Sequence, residues 1–435
     1  MAFLKYRQNR LVRSLELVKA VSGAGTASRV VWVKNSGATT GWAGNSSKVV
    51  PGVVETMLAD GLMSLTKTTS IVSAWTKILP CGTSCSSKKI AIKVNFNNSY
   101  GSGTSNNCYQ DYCPTYQVVN ALLDQLVSQK GIPAANINIY DTSRSFPDYF
   151  KNGISARFAG VGLNQYQGQG SSYTVKGAQL GKALVDADYL INMPLLRTHN
   201  MASVTLSFKN NLGSTTYAEG FHNAFFGSTL ATNSLVELNS HPQIKQKTIL
   251  IIDVALYGLK GGGPSCNGSC GQDSNFFVAN SIFLSQDPVA VDSLMIDYLQ
   301  SVRGVGWGTT ANPRITYDLA ARNGLGNFVT SCDSQSNCSF NYDTAVIELV
   351  RCENGTCVEK LNPTTGPIVK PTLIPTPTPT PILGDVNLDG RIDKQDARLL
   401  FSLYRSSQWS AIYAPDPDRD GRVTLLDFGW IVKNW

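Results

Sequence analysis

The chain has 435 residues, enough for two or three domains, and its 42% hydrophobic and 15% charged residues are typical of a well-packed globular body. It contains no apolar run long enough to cross a bilayer as a helix, so no membrane span is expected. The formal charge is 37 − 30 = +7, but the basic residues are scattered rather than clustered, which argues against a nucleic-acid partner.

Residues 1–362 are predicted to form one body of the α/β class, because apolar segments typical of buried strands alternate with helical patterns. The predicted strands are RVVWVKN, KIAIKVNF, NINIYD, ADYLINMP and KTILIIDVALYG. The clearest predicted helices are VVPGVVETMLADGLMSL and YQVVNALLDQLVSQKG, the second ending at Gly131. This alternation favours a mostly parallel sheet with helices on both faces. Two Gly-, Ser- and Asn-rich segments, 97–115 and 258–275, are predicted to be long surface loops.

The ten cysteines fall into five close pairs, none with the spacing of a zinc or iron–sulfur site. The pairs are Cys81 with Cys85, Cys108 with Cys113, Cys266 with Cys270, Cys332 with Cys338, and Cys352 with Cys357. In the last pair, the preferred hairpin turn Asn354-Gly355 places the two cysteines opposite each other at a non-hydrogen-bonded position, where strands lie closest. We therefore predict five local disulfides, with reduced structural thiols as the alternative.

Disulfides would place the protein in an oxidising compartment, at the cell surface or outside the cell. The N-terminal segment MAFLKYRQNRLVRSLELVKAVSGAGTA does not support export, because it lacks a continuous apolar core of signal-peptide length. Three explanations stay open: a start further upstream, an atypical signal, or no export. We favour a missing or misassigned start.

The densest polar stretch of the body is LINMPLLRTHNMASVTLSFKNNLGS, residues 190–214. It begins as a buried strand, and Arg197, His199 and Asn200 follow at the predicted carboxyl end of that strand. Ligands of open α/β sheets bind beyond the carboxyl ends of the strands. Two cations (Arg197 and Lys209), an imidazole and several amides at that place would suit a carboxylate or phosphate. The alternative is a structural hydrogen-bond network with solvated cations.

Four segments carry a family resemblance: AWTKILPCGTSCSSKKIAIKVNFN, YLINMPLLRTHNMASVTLSFKNNLGS, IIDVALYGLKGGGP and FLSQDPVAVDSLMIDYL. They occur in the order seen in the bacterial and archaeal family called domain of unknown function 362, which residues 28–305 resemble. The resemblance does not indicate which activity the body has. It implies a set of functional positions: Lys93, Asn95, Asp141, Arg197, His199, Lys209, Asn210, Asp253, Asp287 and Asp292.

Several of these positions fall at predicted strand ends, which is the main reason to expect a site there. We assign three residues to catalysis. His199 is the acid–base candidate, and Arg197 and Lys209 are the groups expected to hold the anion. Substrate binding is assigned to Lys93, Asn95, Asp141, Asn210 and Asp253. Asp287 precedes a proline and is expected to cap the following helix, so structural roles are favoured for it and for Asp292. Members of the family are often exported and some carry iron–sulfur modules, but this chain lacks ferredoxin-like cysteine runs.

Residues 363–383 are predicted to be a linker that separates the body from a second module. The segment PTTGPIVKPTLIPTPTPTPIL alternates Pro and Thr and should form an extended polyproline II chain.

The module, residues 384–435, contains an acidic loop twice, the copies lying 31 residues apart. In each loop, side-chain oxygens occupy positions one, three, five, nine and twelve, glycine occupies position six, and the residue at position seven offers its backbone carbonyl. Calcium needs such a set of hard oxygen ligands around one point. We therefore expect two calcium ions, bound by Asp385, Asn387, Asp389, Arg391, Asp393 and Asp396, and by Asp416, Asp418, Asp420, Arg422, Thr424 and Asp427.

A short apolar helix pattern follows each loop, without the entering helix of an EF-hand. This duplicated loop–helix unit behind a Pro/Thr linker resembles a dockerin, which implies a cohesin domain of a scaffold or surface protein as the partner. Many dockerins carry a small hydroxyl pair at loop positions ten and eleven. Here those positions hold Lys394-Gln395 and Leu425-Leu426, so symmetric two-way docking is not expected.

The sequence thus predicts a secreted protein tethered by a calcium-dependent dockerin. The body shows no GxSxG, HExxH, phosphate-binding loop or dinucleotide-binding glycine motif. The leading hypothesis is an enzyme acting on an anionic small molecule or sugar-derived acid, linked by association to polysaccharide breakdown. The alternative is a non-catalytic carbohydrate- or surface-binding component of an extracellular complex, for which Trp42, Trp75 and Trp307 are the candidate aromatic platforms.

Overall fold

The computed structural model describes residues 27–40, 48–81, 85–97, 115–164, 170–222, 224–263, 273–307, 311–333 and 336–359. All of them belong to the predicted body. The predicted linker, both calcium loops and Trp42 lie outside these residues.

The described residues contain thirteen strands and ten α-helices. The strands are β1 Ser28–Lys34, β2 Ile90–Lys93, β3 Ile137–Tyr140, β4 Gly162–Asn164, β5 Gly170–Val175, β6 Ala178–Gly181, β7 Tyr189–Asn192, β8 Arg197–His199, β9 Ser203–Thr205, β10 Thr248–Leu259, β11 Phe276–Ser285, β12 Ile347–Glu353 and β13 Thr356–Glu359. The helices are α1 Pro51–Thr66, α2 Ile71–Ile78, α3 Tyr116–Asp124, α4 Asp148–Ser155, α5 Lys182–Val185, α6 Ser207–Asn210, α7 Ser234–Ser240, α8 Pro242–Lys245, α9 Pro288–Arg303 and α10 Pro313–Arg322. Short π and 3-10 segments are Gln125–Gln129, Ala134–Asn136, Asn211–Ser214, Ala218–Phe221 and Leu230–Thr232.

The body is a mixed α/β fold around a mostly parallel central sheet. The strand order of the main sheet is β13-β12-β1-β11-β10-β7-β2-β3-β4, with β8 pairing β10 and β9. Strands β10, β7, β2, β3 and β4 run parallel, and so do β1 and β12. The antiparallel strand β11 separates these two groups, because it pairs with β1 on one side and β10 on the other.

Both faces of the sheet are covered, which follows from the alternation of side chains along each strand. Ile90 and Ile92 of β2 pack into a cluster with residues of α1, α2 and α3, whereas Ala91 between them packs into a second cluster with residues of α5 and α7. In β1, Val31 and Val33 join the first cluster, and Val30 joins a third one with residues of α9 and α10. The prediction of a sheet with helices on both faces is therefore confirmed for the body.

All five predicted strands are present, as β1, β2, β3, β7 and β10, and both predicted helices are present as α1 and α3. Helix α3 continues through the π segment Gln125–Gln129, and Gly131, with φ +74°, ends it as predicted. Strand β11 was not predicted. Its segment FFVANSIFLS has the apolar content of a strand, but the periodicity of one segment does not reveal which partner it pairs with.

Three of the five predicted disulfides lie within the described residues, and all three are present: Cys81–Cys85, Cys332–Cys338 and Cys352–Cys357. In the hairpin of β12 and β13, Glu353 faces Thr356 and Cys352 faces Cys357, as predicted. Asn354 and Gly355 have φ values of 48° and 86°, the positive pair that a type I′ turn requires.

The other two predicted disulfides are not tested by the structure. Cys108 and Cys113 lie outside the described residues, and so do Cys266 and Cys270. The pairing of Cys108 with Cys113 and that of Cys266 with Cys270 therefore stay predictions. Among the helices that the structure describes, none is long and apolar enough to cross a membrane.

Candidate functional site

Polar side chains meet where three parallel strands of the sheet end. Lys93 at the end of β2 lies in register with Tyr140 of β3 and Asn192 of β7, and Asp141 directly follows Tyr140. The carboxyl ends of parallel strands lie at one edge of the sheet, which is the usual place for a ligand in such folds. The structure therefore brings Lys93, Asp141 and Asn192 together at the edge that the sequence predicted.

Lys93, Asp141 and Asn210 form a closed hydrogen-bond network. The Lys93 Nζ donates to Val94 O at 2.5 Å, Asp141 Oδ2 at 3.1 Å and Asn210 Oδ1 at 3.2 Å. Only an ammonium has three hydrogens to donate. Burial lowers the pKa of Lys93, and the charge and hydrogen bond of Asp141 oppose that shift.

The Asp141 carboxylate is saturated by protein donors. Besides Lys93, its oxygens accept from Phe96 N at 3.2 Å, Ser143 N at 3.1 Å and Ser143 Oγ at 3.0 Å. A carboxylate offers about four acceptor positions, and all of these are occupied. Asp141 therefore holds Lys93 and the loop after β3 in place, and it is not an open base.

Gly213 allows this network to be compact. A Cβ atom at this position would lie 2.6 Å from Lys93 Nζ and 2.7 Å from Asp141 Oδ1. Only glycine leaves room for the ion pair beside the chain there.

The polar segment Ser207–Asn211 is held by hydrogen bonds on both sides of Lys209. The carboxylate of Asp292 accepts from the backbone N–H groups of Ser207, at 3.0 Å, and Phe208, at 3.1 Å, at the start of α6. Asn210 donates to Asn192 Oδ1 at 2.6 Å and to Lys93 O at 3.3 Å. Asn211 donates to Asn239 Oδ1 at 2.8 Å. The anchors on either side fix the position of the residue between them, Lys209.

Lys209 lines a pocket and is 5% exposed, and within the part of the chain that the structure describes its ammonium has no hydrogen-bond acceptor and no carboxylate partner. Burial lowers the pKa of Lys209 to about 7, and the positive charges of Arg197, Arg144 and Lys93 act in the same direction. Asp141 only partly offsets them. The neutral amine of Lys209 is therefore much more accessible near pH 7 than that of a surface lysine.

The empty space at this pocket is about 360 Å³, a figure that includes solvent at its open mouth. Of the predicted site residues, it is lined by Lys93, Asn95, Asp141, Lys209 and Asn210. It is also lined by residues that the sequence did not single out, among them Asn97, Ser143, Arg144, Thr205 and His222.

Two further polar groups lining this pocket lack partners among the described residues: the Asn97 amide nitrogen and the Thr205 hydroxyl. Buried polar groups are nearly always hydrogen-bonded, and a ligand with matching groups would satisfy both of these. One signal for Arg144 was present in the sequence, because it stands three residues after Asp141 at a strand end. We find no comparable signal for His222 or Thr205.

Arg197 does not have the position that the sequence suggested. It is fully buried, donates to Asn95 Oδ1, and is not among the residues that line the pocket. Its charge still raises the positive potential at Lys209. Of these two arginines, Arg144 lines the pocket and Arg197 does not.

His199 is held as a neutral imidazole. It shares one face of β8 with Arg197, and its Nδ1 accepts from the backbone N–H groups of Met201, at 3.0 Å, and Ala202, at 3.3 Å. Burial lowers the pKa of His199 to about 2, and the charges of Lys209 and Arg197 add to that effect. A proton on Nε2 follows from this hydrogen bonding. The expectation of an acid–base histidine is thus not supported, because this ring can donate a hydrogen bond but holds no proton-accepting nitrogen free.

The three remaining aspartates have separate positions. Asp287 caps α9, its Oδ1 accepting from Val289 N at 2.8 Å and Ala290 N at 2.9 Å, which is the structural role predicted. Asp292 caps α6 from a neighbouring helix. Asp253 is fully buried in β10, lies outside the pocket lining, and neither of its carboxylate oxygens has a hydrogen-bond partner among the described residues. Burial raises its pKa well above the usual range, and Asp292 adds to the shift. A direct substrate contact by Asp253 is therefore not supported.

Comparison with known proteins places the body in a family context. Residues 90–297 match the model of the family described as Domain of unknown function (DUF362), just under half of the chain. This match supports the family assignment of the body. It includes every pocket residue named above. No curated protein matches the chain.

Among solved structures, that of the lactate racemase apoprotein from Thermoanaerobacterium thermosaccharolyticum gives a TM-score of 0.31 at 12% sequence identity. The alignment covers 56% of this chain and 55% of that one, so the chain spans about half the length of that protein. A similarity of this size carries no inference about activity.

Proposed function

We propose that the body is an enzyme that acts on a small anionic molecule, such as a sugar-derived acid, and that Lys209 is its reactive group. The observation that carries this proposal is the buried amine of Lys209, without a partner among the described residues, at the wall of a pocket that contains two more cations, Lys93 and Arg144. Of the described residues that line this pocket, Asp141 alone is acidic, and all its acceptor positions are filled.

The charge balance favours an anion as the ligand. Lys93 is neutralised by Asp141, whereas Lys209 has no carboxylate partner among the described residues, and Arg144 and Arg197 add positive potential at its amine. A carboxylate is a fitting counterion, because it accepts two hydrogen bonds from a guanidinium in one plane. The Asn97 amide and Thr205 hydroxyl would then bind the polar groups of a hydroxy acid.

An amine with a depressed pKa favours catalysis over passive binding. A site that only held an anion would be better served by permanently charged side chains, whereas a buried amine costs stability and gains reactivity. The non-catalytic alternative relied on exposed aromatic platforms. Trp75 is fully buried and donates to Gln125 Oε1 at 3.0 Å, and the Arg303 guanidinium lies 4.1 Å from the ring centroid of Trp307. Neither is an open sugar platform.

The same proposal includes tethering of the chain, outside the cell, to a cohesin through the C-terminal dockerin-like module with two calcium ions. The duplicated acidic loops support the module, and the three disulfides of the body support the compartment. The module should be tested by calorimetry of the full chain, in which Asp389→Ala and Asp420→Ala should each remove one calcium-binding event. Unchanged calcium stoichiometry in both variants would contradict the assignment.

The pocket should be tested by thermal denaturation with galacturonate, gluconate and, as the uncharged comparison, galactose. We expect both acids and not the neutral sugar to raise the melting temperature of the wild type. Lys209→Met should abolish this response. The matched control is Lys89→Met, since Lys89 is exposed and its side chain makes no hydrogen bond or ion pair with the described residues, and this variant should respond like wild type. Equal responses of all three proteins would refute an anion site at Lys209.

A further inference from the structure

We propose that Lys209 forms an imine with the carbonyl carbon of a 2-oxo acid or an aldehyde-bearing acid held in this pocket. The inference rests on the proposed anion site and narrows its substrate to acids that carry a ketone or aldehyde. The inference starts from a contrast: two lysines line this pocket, and their surroundings are opposite.

Lys93 serves as an internal comparison for Lys209. All three of its N–H donors are engaged by Val94 O, Asp141 and Asn210, so its nitrogen has no lone pair to offer. Lys209 lines the same pocket, and no acceptor among the described residues holds a proton on its nitrogen. A desolvated lysine beside other cations is the arrangement that yields a neutral, nucleophilic amine.

The anchoring of α6 holds this amine where it is. A lysine near a surface would extend its ammonium into water, because the chain is long and flexible. Here Asp292 fixes the start of α6, and Asn210 and Asn211 are bonded to Asn192 and Asn239. The amine therefore stays in the pocket at a cost in stability, which is characteristic of functional positions.

The covalent step balances with the substrate as its one co-reactant. The nitrogen lone pair of Lys209 forms the C–N bond while the π electrons of the carbonyl move to oxygen. The carbonyl oxygen and the two hydrogens of the neutral amine then leave as one water molecule, and the C=N bond remains. Nothing is oxidised or reduced. The carboxylate of the substrate supplies negative charge to the pocket, beside Arg144.

The experiment is reductive trapping on the full chain with pyruvate and glyoxylate as probes, sodium cyanoborohydride as the reductant, and peptide mass spectrometry as the readout. We expect one reduced adduct at Lys209, forming faster as the pH rises through about 7. At pH 7 a surface lysine has roughly a thousandfold less neutral amine, so Lys89 should stay unlabelled over the same time. Lactate, which has no carbonyl, should leave no adduct but should slow labelling by pyruvate.

Two variants separate the imine from the anion site. Lys209→Arg keeps a positive charge, so it should retain lactate-induced thermal stabilisation and lose the adduct. Lys209→Met should lose both. If pyruvate and lactate stabilise the wild type equally and no adduct forms at Lys209, the imine is overturned and the anion site stands. If neither acid binds, both proposals are overturned.

Discussion

Replacing Lys209 by methionine should make the protein more stable at neutral and acidic pH. Burial and the neighbouring cations lower the pKa of Lys209 from 10.5 to about 7, so the unfolded chain binds one proton more than the folded chain between these values. Stability therefore rises with pH across this window, and the full penalty is present below pH 7. The shift of 10.5 − 7 = 3.5 corresponds to about 5 kcal/mol as an upper bound. Methionine has a similar shape and no charge, so we expect a gain of about 2–5 kcal/mol at pH 6.

The assay is denaturant unfolding of the full chain at fixed calcium concentration, at pH 6, 8 and 10, with wild type, Lys209→Met and the control Lys89→Met. The advantage of the methionine variant should shrink steadily from pH 6 to pH 10. Lys89→Met should change stability by less than about 0.5 kcal/mol at each pH, because the side chain is exposed. A methionine variant that is no more stable than wild type at pH 6, or whose advantage does not depend on pH, would refute the argument that Lys209 is a buried, uncompensated amine.

Three other substitutions test the surroundings of the pocket in the same assay. Gly213→Ala should cost about 2–4 kcal/mol, because the new Cβ would lie 2.6 Å from Lys93 Nζ and separate it from Asp141. The control is Gly52→Ala in α1, where a new Cβ would meet no neighbouring atom within 4 Å, so this variant should be neutral or slightly stabilising. If Gly213→Ala were as stable as Gly52→Ala, the Lys93 network would accommodate the new Cβ without a cost in stability. Asp253→Asn should gain stability relative to wild type as pH rises from about 4, because the raised pKa of Asp253 makes its ionisation unfavourable in the folded state. Asp292→Asn should lose about 1–3 kcal/mol at pH 4, since its amide cannot accept both N–H groups of α6, and this loss should shrink towards pH 7 because burial raises the pKa of Asp292 to about 7. An Asp292→Asn variant as stable as wild type at pH 4 would contradict the capping role of Asp292.

The position of the site could be predicted from the sequence because strand ends are local features. Lys93, Asp141 and Asn210 follow or end apolar strands or runs, and parallel strands bring such ends to one edge. The pairing of Cys352 with Cys357 could likewise be predicted, because the two-residue turn Asn354-Gly355 sets the register of the hairpin. Both inferences depend on geometry within a few residues of the chain.

The roles of individual groups could not be predicted in the same way, because they depend on contacts between distant segments. Arg197 and Arg144 are both arginines at strand ends. Only the fold shows that Arg197 is buried against Asn95 while Arg144 lines the pocket. The neutral state of His199 depends on its burial and on nearby cations from other segments, and two backbone amides of the turn between β8 and β9 donate to its Nδ1. Strand β11 between two parallel groups is another long-range pairing.

The contrast between Lys93 and Lys209 shows how one pocket can give the same residue type two different surroundings. Burial lowers the pKa of both lysines. Three acceptors bind the N–H groups of Lys93, whereas the described residues around Lys209 provide none. The charge of Lys93 lowers the pKa of Lys209 further, so under the proposed function Lys93 would help to activate Lys209. The negative charge of Asp141 opposes this effect but offsets it only in part. An arriving carboxylate would bring a new negative charge to the pocket, so ligand binding and the protonation of Lys209 should be linked.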